Sequence, residues 1–265
     1  MAGLAAFENP QKLIDRAISA RREADSAAKV FFKADSFRRI REYERGTGYT
    51  IEKLRMVRTF PDTIEERLTD AINNTRNAFD QIIFAACDAI RKPTKDGHFP
   101  WACSRTDLDD WRLQNKKTGK ETVPREFWDV IRAHQPYPRN DANTEGDTFI
   151  RTMAMFANRK HTIGIEVGCN VSETTIGCVH FDRVAAGIIP MPRWDPKRKE
   201  IELGRWRGQA YLGGKSEVSF YVAFDSSAPD ELTRYAAPDA VGLFAEKAQM
   251  VLNDIKDTAK ALGVR

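Results

Sequence analysis

Residues 62–91 read DTIEERLTDAINNTRNAFDQIIFAACDAIR. Within them Ile64, Leu68, Ile72, Thr75, Phe79, Ile82, Ala86 and Ile90 step by three or four residues without a break. That is the period of an amphipathic α-helix whose buried face is specified by the sequence. Pro61 opens the helix, and Thr63 and Glu66 have the spacing of a capping box. One apolar stripe of this length must be covered by other elements, so the fold is read from what flanks it.

On the N-terminal side a long helix is predicted from about Pro10 to Arg45, with Asn9 as N-cap and Pro10 at the first helical position. Ala17, Ala20, Ala24, Ala27, Phe31 and Ala34 give it a narrow small-residue stripe that allows close helix approach. Gly46-Thr47-Gly48 stops it, and Tyr49 to Phe60 reads as extended. On the C-terminal side, Lys92 to Val123 is read as loop, anchored by Trp101 and Trp111. A short helix follows from Pro124 to His134, then a rigid Gln135-Pro136-Tyr137-Pro138 turn. A fourth helix is predicted from Asp147 to Lys160, carrying Phe149, Met153 and Phe156 on one face.

The period changes from helical to alternating after His161. Ile163, Ile165 and Val167 alternate, as do Val218, Phe220, Val222 and Phe224, and two further strands are read at Thr174–Phe181 and Glu200–Trp206. A last helix spans Pro238 to about Leu262. The fold class expected is therefore α+β: a helical bundle packed with a small antiparallel sheet of about four strands, arranged as a meander. Residues 1–265 are read as a single domain, with a helical part over 9–160, a strand-rich part over 161–230 and the C-terminal helix over 238–262.

Composition narrows the class. Apolar residues make up 42% of the chain, charged residues 30% and aromatic residues 10%, which suits a folded globular protein and not a disordered one. The net charge of +4 and pI near 8.8 permit contact with nucleic acid without demanding it. Cys87, Cys103, Cys169 and Cys178 form no C-x-x-C pair, so no metal site is expected. No apolar run reaches membrane-spanning length, and the first residues lack the basic region of a signal peptide. The expected setting is a reducing cytoplasm with no membrane contact.

Three segments together resemble a family of uncharacterised bacterial proteins. They are Asn74-Thr75-Arg76-Asn77-Ala78-Phe79-Asp80-Gln81, then Ile131-Arg132-Ala133-His134-Gln135-Pro136-Tyr137, then Asn158-Arg159-Lys160-His161. The family's pattern over the first is asparagine, leucine, arginine, serine, alanine, leucine, aspartate, histidine. Phe99-Pro100 falls between the first two segments as the family's dipeptide does, and the likeness runs over residues 35 to 170. Gln81 stands where the family has histidine, and the resemblance implies no reaction.

Several polar residues sit where they invite a role. Arg76 and Asp80 are four apart beside the apolar stripe, with Asn73 on the same flank: an intrahelical ion pair at the core edge, or a polar cluster facing a cleft. Lys160 falls on the apolar face of its helix, and a buried ammonium needs a partner. Asp80 across the helix interface would supply it, unless the lysine snorkels to solvent. His161 could titrate near neutral pH and join Arg76 and Asn77 as a catalytic group, or it could bond a carbonyl where helix becomes strand. The basic Lys197-Arg198-Lys199 loop with Trp194, Arg205, Trp206 and Arg207 has the mixture of a single-stranded nucleic-acid surface, or of a solvated hairpin end with inward tryptophans.

Two functions follow as expectations. The first is a binding or accessory protein that holds a ligand, an RNA or a protein partner through Arg76, Asn73, Asp80, Gln81, Lys160 and the tryptophan loops. Its alanine stripe and last helix could form a homodimer interface. The second rests on a resemblance to HEPN ribonucleases of toxin–antitoxin and phage-defence systems, in which an arginine followed by a polar residue precedes a histidine on one helix. There arginine would stabilise phosphorane charge and histidine would move the 2′-hydroxyl proton. Glutamine at 81 cannot act as base, so this chain would be a degenerate member unless His161 substitutes. Phosphate-cradling glycine loops, G-x-S-x-G and H-E-x-x-H motifs are absent from the sequence, and no cofactor is expected.

Overall fold

The computed structural model describes residues 3–92, 97–118, 123–141, 144–163, 167–175, 179–181, 187–191, 193–207, 210–212, 217–225 and 228–265. Its centre is a packing of α1 (Glu8–Lys33), α2 (Asp62–Ala89) and α7 (Ala237–Ala261). The α2 stripe is covered as its period requires: Ile64, Leu68, Ile72, Phe79 and Ile82 are fully buried. Each such side chain contributes on the order of 1.5–3 kcal/mol of transfer free energy. Ala17, Ala20 and Ala24 of α1 are buried in the same core, as are Val241, Phe244 and Val251 of α7. The small-residue stripe expected to meet a second copy is thus consumed inside one chain.

Helix α1 ends at Lys33, well short of Arg45. It begins at Glu8, with Phe7 rather than Asn9 at the N-cap position, and a short 3₁₀ turn over Gly3–Phe7 precedes it. Ser36, fully buried, donates its hydroxyl to the Phe31 carbonyl at 2.7 Å and marks the break. The chain then forms β1 (Phe37–Glu44), which pairs antiparallel with β2 (Tyr49–Met56) through the Gly46-Thr47-Gly48 turn. Phe37, Ile40 and Tyr43 recur at three-residue steps and so read as helix. Pairing with β2 overrides that local pattern, as strand context commonly does.

The remaining helices are α3 (Arg105–Thr118), α4 (Trp128–His134), α5 (Thr148–Ile163) and the single turn α6 (Asp230–Thr233). Helix α3 lies in the stretch read as loop. Its start is a reciprocal cap: the Asp107 amide donates to Ser104 Oγ at 3.0 Å and the Cys103 amide donates to Asp107 Oδ2 at 2.7 Å. The Thr63–Glu66 spacing, by contrast, forms no side-chain cap at the α2 N-terminus.

The strands do not form a meander. Besides β1 and β2 they are β3 (Val167–Thr175), β4 (Val179–Phe181), β5 (Gly187–Ile188), β6 (Trp194–Asp195), β7 (Glu200–Arg207), β8 (Ala210–Leu212) and β9 (Glu217–Phe224). One sheet runs β1-β2-β7-β5, with β6 also paired to β7, while β3–β9 and β4–β8 form two separate antiparallel pairs. The N-terminal hairpin therefore enters the sheet, and strand content is not confined to residues 161–230. Ile163 closes α5 and Val167 opens β3, while Ile165 of the expected alternation lies outside the described residues.

One face of the larger sheet packs on the β3–β9 pair through Ile201, Leu203 and Trp206, against Val171 and Val218. Phe37 stacks on Phe220 at 4.1 Å and ties the same layer to the end of α1. Gly204 is required here, because a Cβ at that position would lie 2.3 Å from the Trp206 ring. Among the described residues no helix is long and apolar enough to cross a membrane.

Candidate functional site

Arg76 and Asp80 meet on α2 one turn apart, with Arg76 Nη1 donating to Asp80 Oδ2 at 2.6 Å. The second Asp80 oxygen accepts the Phe99 amide at 2.9 Å, which fixes the segment after α2 against the helix. That segment brings Trp101 over Arg76, whose guanidinium carbon lies 4.6 Å from the ring centroid. Phe79 and Phe99 pack against the indole edge-on and tilted, at 5.0 and 4.7 Å between centroids. Arg76 is thus held by charge on one side and by an aromatic face on the other.

A second arginine comes from α5. Gln135 adopts a left-handed backbone (φ +46) that ends α4, and its carbonyl accepts the amides of Tyr137 and Asp147. Asp147 then caps α5, its Oδ1 accepting the Ile150 amide at 3.0 Å. Gly146 has no room for a side chain, since a Cβ would lie 2.6 Å from the Tyr137 carbonyl oxygen. This tight turn sets the start of α5, and one turn later Arg151 points back to the 99–104 segment, its Nη2 3.6 Å from Cys103 Sγ.

Three nitrogen donors in this patch, Arg76 Nε, Trp101 Nε1 and Arg151 Nε, are buried and meet no acceptor among the described residues. Buried donors are nearly always satisfied, so three in one patch is an unusual arrangement. Burial lowers the Arg76 pKa from its ordinary value; Asp80 opposes the shift and the charge of Arg151 adds to it. The Arg76 guanidinium nevertheless stays protonated at physiological pH. Asp80 bonds Arg76, and Arg151 brings a second cation whose charge Arg76 feels, beside the Trp101 ring at the α2–α5 junction.

The other sequence-derived residues separate into groups. Asn77 and Gln81 are exposed and, with Asp80, line a groove of about 590 Å³ against Lys12 and Arg16 of α1. Asn73 is half-buried on the same helix. The side chains of Lys160 and His161 lie outside the described residues, so the expected Lys160–Asp80 pair and the histidine's partners do too. Trp206 is buried at 1% exposure and cannot stack on a base. Trp194 is half-buried against Phe37 and Phe220, and Arg205 is bound twice by Glu202, at 2.6 and 2.7 Å. The aromatic part of the basic loop therefore packs inward.

Arg151 and Trp101 were not singled out by sequence as site residues. Arg151 lies on the flank of an ordinary amphipathic helix, and only the turn at 135–147 aims it at α2. Comparison of the chain with family models, with curated proteins and with solved structures finds no match.

Proposed function

We propose that this chain is a binding protein that takes a small anion between Arg76 and Arg151, beneath Trp101. The observation carrying this reading is the trio of buried, unpaired donors on a patch where Arg151 brings a second cation beside Arg76. Guanidinium groups suit carboxylate and phosphate geometry, and the low local dielectric strengthens each charge-assisted bond. The indole restricts solvent and leaves its N–H as a further donor.

The test is thermal unfolding of the protein in rising inorganic phosphate, sulfate or acetate at constant ionic strength. A ligand at 100 times its Kd stabilises the folded state by about 2.7 kcal/mol. One of these anions should raise the midpoint in the wild type and not in Arg151→Leu. Equal responses in both proteins, or none in either, would remove the proposal. The ribonuclease reading asks more of the same residues, because Arg76 would have to leave Asp80 to reach a phosphate.

A further inference from the structure

A second cavity, of about 600 Å³, lies where the β6–β7 hairpin meets the ends of β3 and β9. Its floor is apolar: Met56, Phe60, Cys169, Trp194 and Phe224 line it. Cys169 and Phe224 are each only 5% exposed. Gly168 and Ala223 add no bulk on the strand side. Sites of this kind, with an apolar body and a few polar groups at the junction of two packed layers, suit small organic ligands.

The rim decides the ligand's charge. Arg193 and Lys199 stand at the mouth and are exposed. Neither has a carboxylate partner among the described residues. Their neighbours on the same sheet differ: Lys53 and Arg55 are bound by Glu42 and Glu200, and Arg205 by Glu202. Asp225 also lines the cavity, so two cations stand against one carboxylate and the lining is net positive, which favours an anion.

Lys199 is also held in place. The hairpin turn is fixed by Asp195 Oδ1, which accepts the Lys197 and Arg198 amides at 2.9 and 3.0 Å. The Lys199 carbonyl accepts the Met56 amide at 2.8 Å. Its backbone is left-handed (φ +54), a conformation that costs a residue with a Cβ. The lysine charge is felt by the Cys169 thiol on the cavity floor, where it opposes the effect of burial.

We propose that this cavity binds an aromatic carboxylate, with the acid group between Arg193 and Lys199 and the ring against Trp194, Phe60 and Phe224. Aromatic side chains favour an offset or edge-on partner ring, and the two cations supply charge-assisted bonds. The cavity shares no lining residue with the Arg76–Arg151 patch.

The experiment is calorimetric titration with 1-naphthoate, beside 1-naphthalenemethanol and 1-naphthylmethylamine, which carry the same ring with a neutral or cationic head. The acid should bind at least about tenfold more tightly than either, since hydrogen bonds to charged groups are worth that much. Lys199→Gly is the decisive variant, because it deletes the ammonium while relieving the left-handed backbone. Its unfolding midpoint should be equal or higher, and its naphthoate affinity about tenfold lower. Lys197→Gln, exposed on the same hairpin but outside the cavity, should bind as the wild type does. Equal affinity for the three heads, or full affinity in Lys199→Gly, would overturn the proposal. So would equal loss in Lys197→Gln, or loss in Arg151→Leu with Lys199→Gly unaffected, which would place naphthoate in the other patch.

Discussion

Lys53 on β2 places its ammonium 2.7 Å from Glu200 on β7, with both side chains more than nine-tenths buried. The ammonium also reaches Glu42 on β1 at 2.6 Å, and Arg55 binds both carboxylates. Three adjacent strands are therefore joined on one face by two cations and two anions, with Arg198 at the edge, 4.0 Å from Glu200. Removing one partner leaves a buried charge without compensation, which costs far more than the pair itself contributes. Lys53→Met should destabilise the fold by about 3 kcal/mol. Lys53→Met combined with Glu200→Leu should recover most of that loss. Urea unfolding of the three proteins checks both statements.

The same network sets a pH dependence. Burial pushes Glu200 upward, but hydrogen bonds from Lys53 and Arg55 outweigh it and hold the group below its ordinary 4.5. Hydrogen bonds from Lys53 and Arg55 lower Glu42 in the same sense. A carboxylate with a depressed folded pKa stabilises fully above its unfolded value, and this is lost as pH falls through the folded one. Burial pulls Lys53 down, yet its bonds to Glu200 and Glu42 raise it above 10.5. That contribution is full below 10.5 and is lost as pH rises through the raised value. The urea midpoint difference between wild type and Glu200→Gln should be constant near neutrality and shrink as pH falls below the ordinary 4.5. A difference that grows on acidification would contradict the assignment.

Thiol reactivity gives an independent check on the layer between sheet and helices. Cys103 is exposed beside Arg151, whereas Cys87 and Cys169 are buried. Burial pushes the Cys169 thiol up to about 12, so its thiolate is scarce at any ordinary pH. In a Cys178→Ser background, an aromatic disulfide reagent should modify one thiol rapidly under native conditions, and Cys103→Ser should abolish that phase. Fast modification of a second thiol would mean that the β3–β9 layer opens readily.

The legible parts of the fold are those whose signal is local. The α2 stripe persists over seven turns and needs no tertiary information, and β9 alternates cleanly. Strand β1 was hidden because Arg38, Arg39, Arg41 and Glu42 between its apolar residues resemble a solvated helix. Their use becomes visible only across strands, where Arg39 and Arg41 both bind the buried Glu52 of β2 at 2.5 Å. Helix α3 reads as loop because polar residues dominate its stretch; the Ser104–Asp107 capping spacing is the local signal which that reading passes over. At the site, Arg76 and Asp80 could be read from their four-residue spacing. Arg151 could not, because its aim depends on a left-handed Gln135 and a Gly146 with no room for a Cβ.

Ribonuclease activity is testable directly. Arg76 is bound to Asp80 and covered by Trp101, and Gln81, exposed on the next turn, cannot transfer a proton as histidine does. A labelled, mixed RNA pool should remain intact with the purified protein under conditions where the unfolding midpoint shows it folded. Cleavage that disappears in both Arg76→Ala and His161→Ala would instead make those two residues the catalytic pair of a ribonuclease.

Asp80 offers the sharpest test of the anion site, because one substitution should move stability and affinity in opposite senses. In the wild type its carboxylate neutralises part of the charge of Arg76 and accepts the Phe99 amide. Asp80→Asn keeps an acceptor for that amide and removes the negative charge. Without ligand, Arg76 is then a largely buried cation facing Arg151 with no anion beside it, and the fold should lose about 2 kcal/mol. An added anion meets two uncompensated guanidinium groups, so it should bind Asp80→Asn more tightly than the wild type, by about tenfold. Unfolding midpoints with and without phosphate measure both effects in one experiment. If Asp80 only braced the helix, the substitution would lower stability and leave phosphate affinity unchanged.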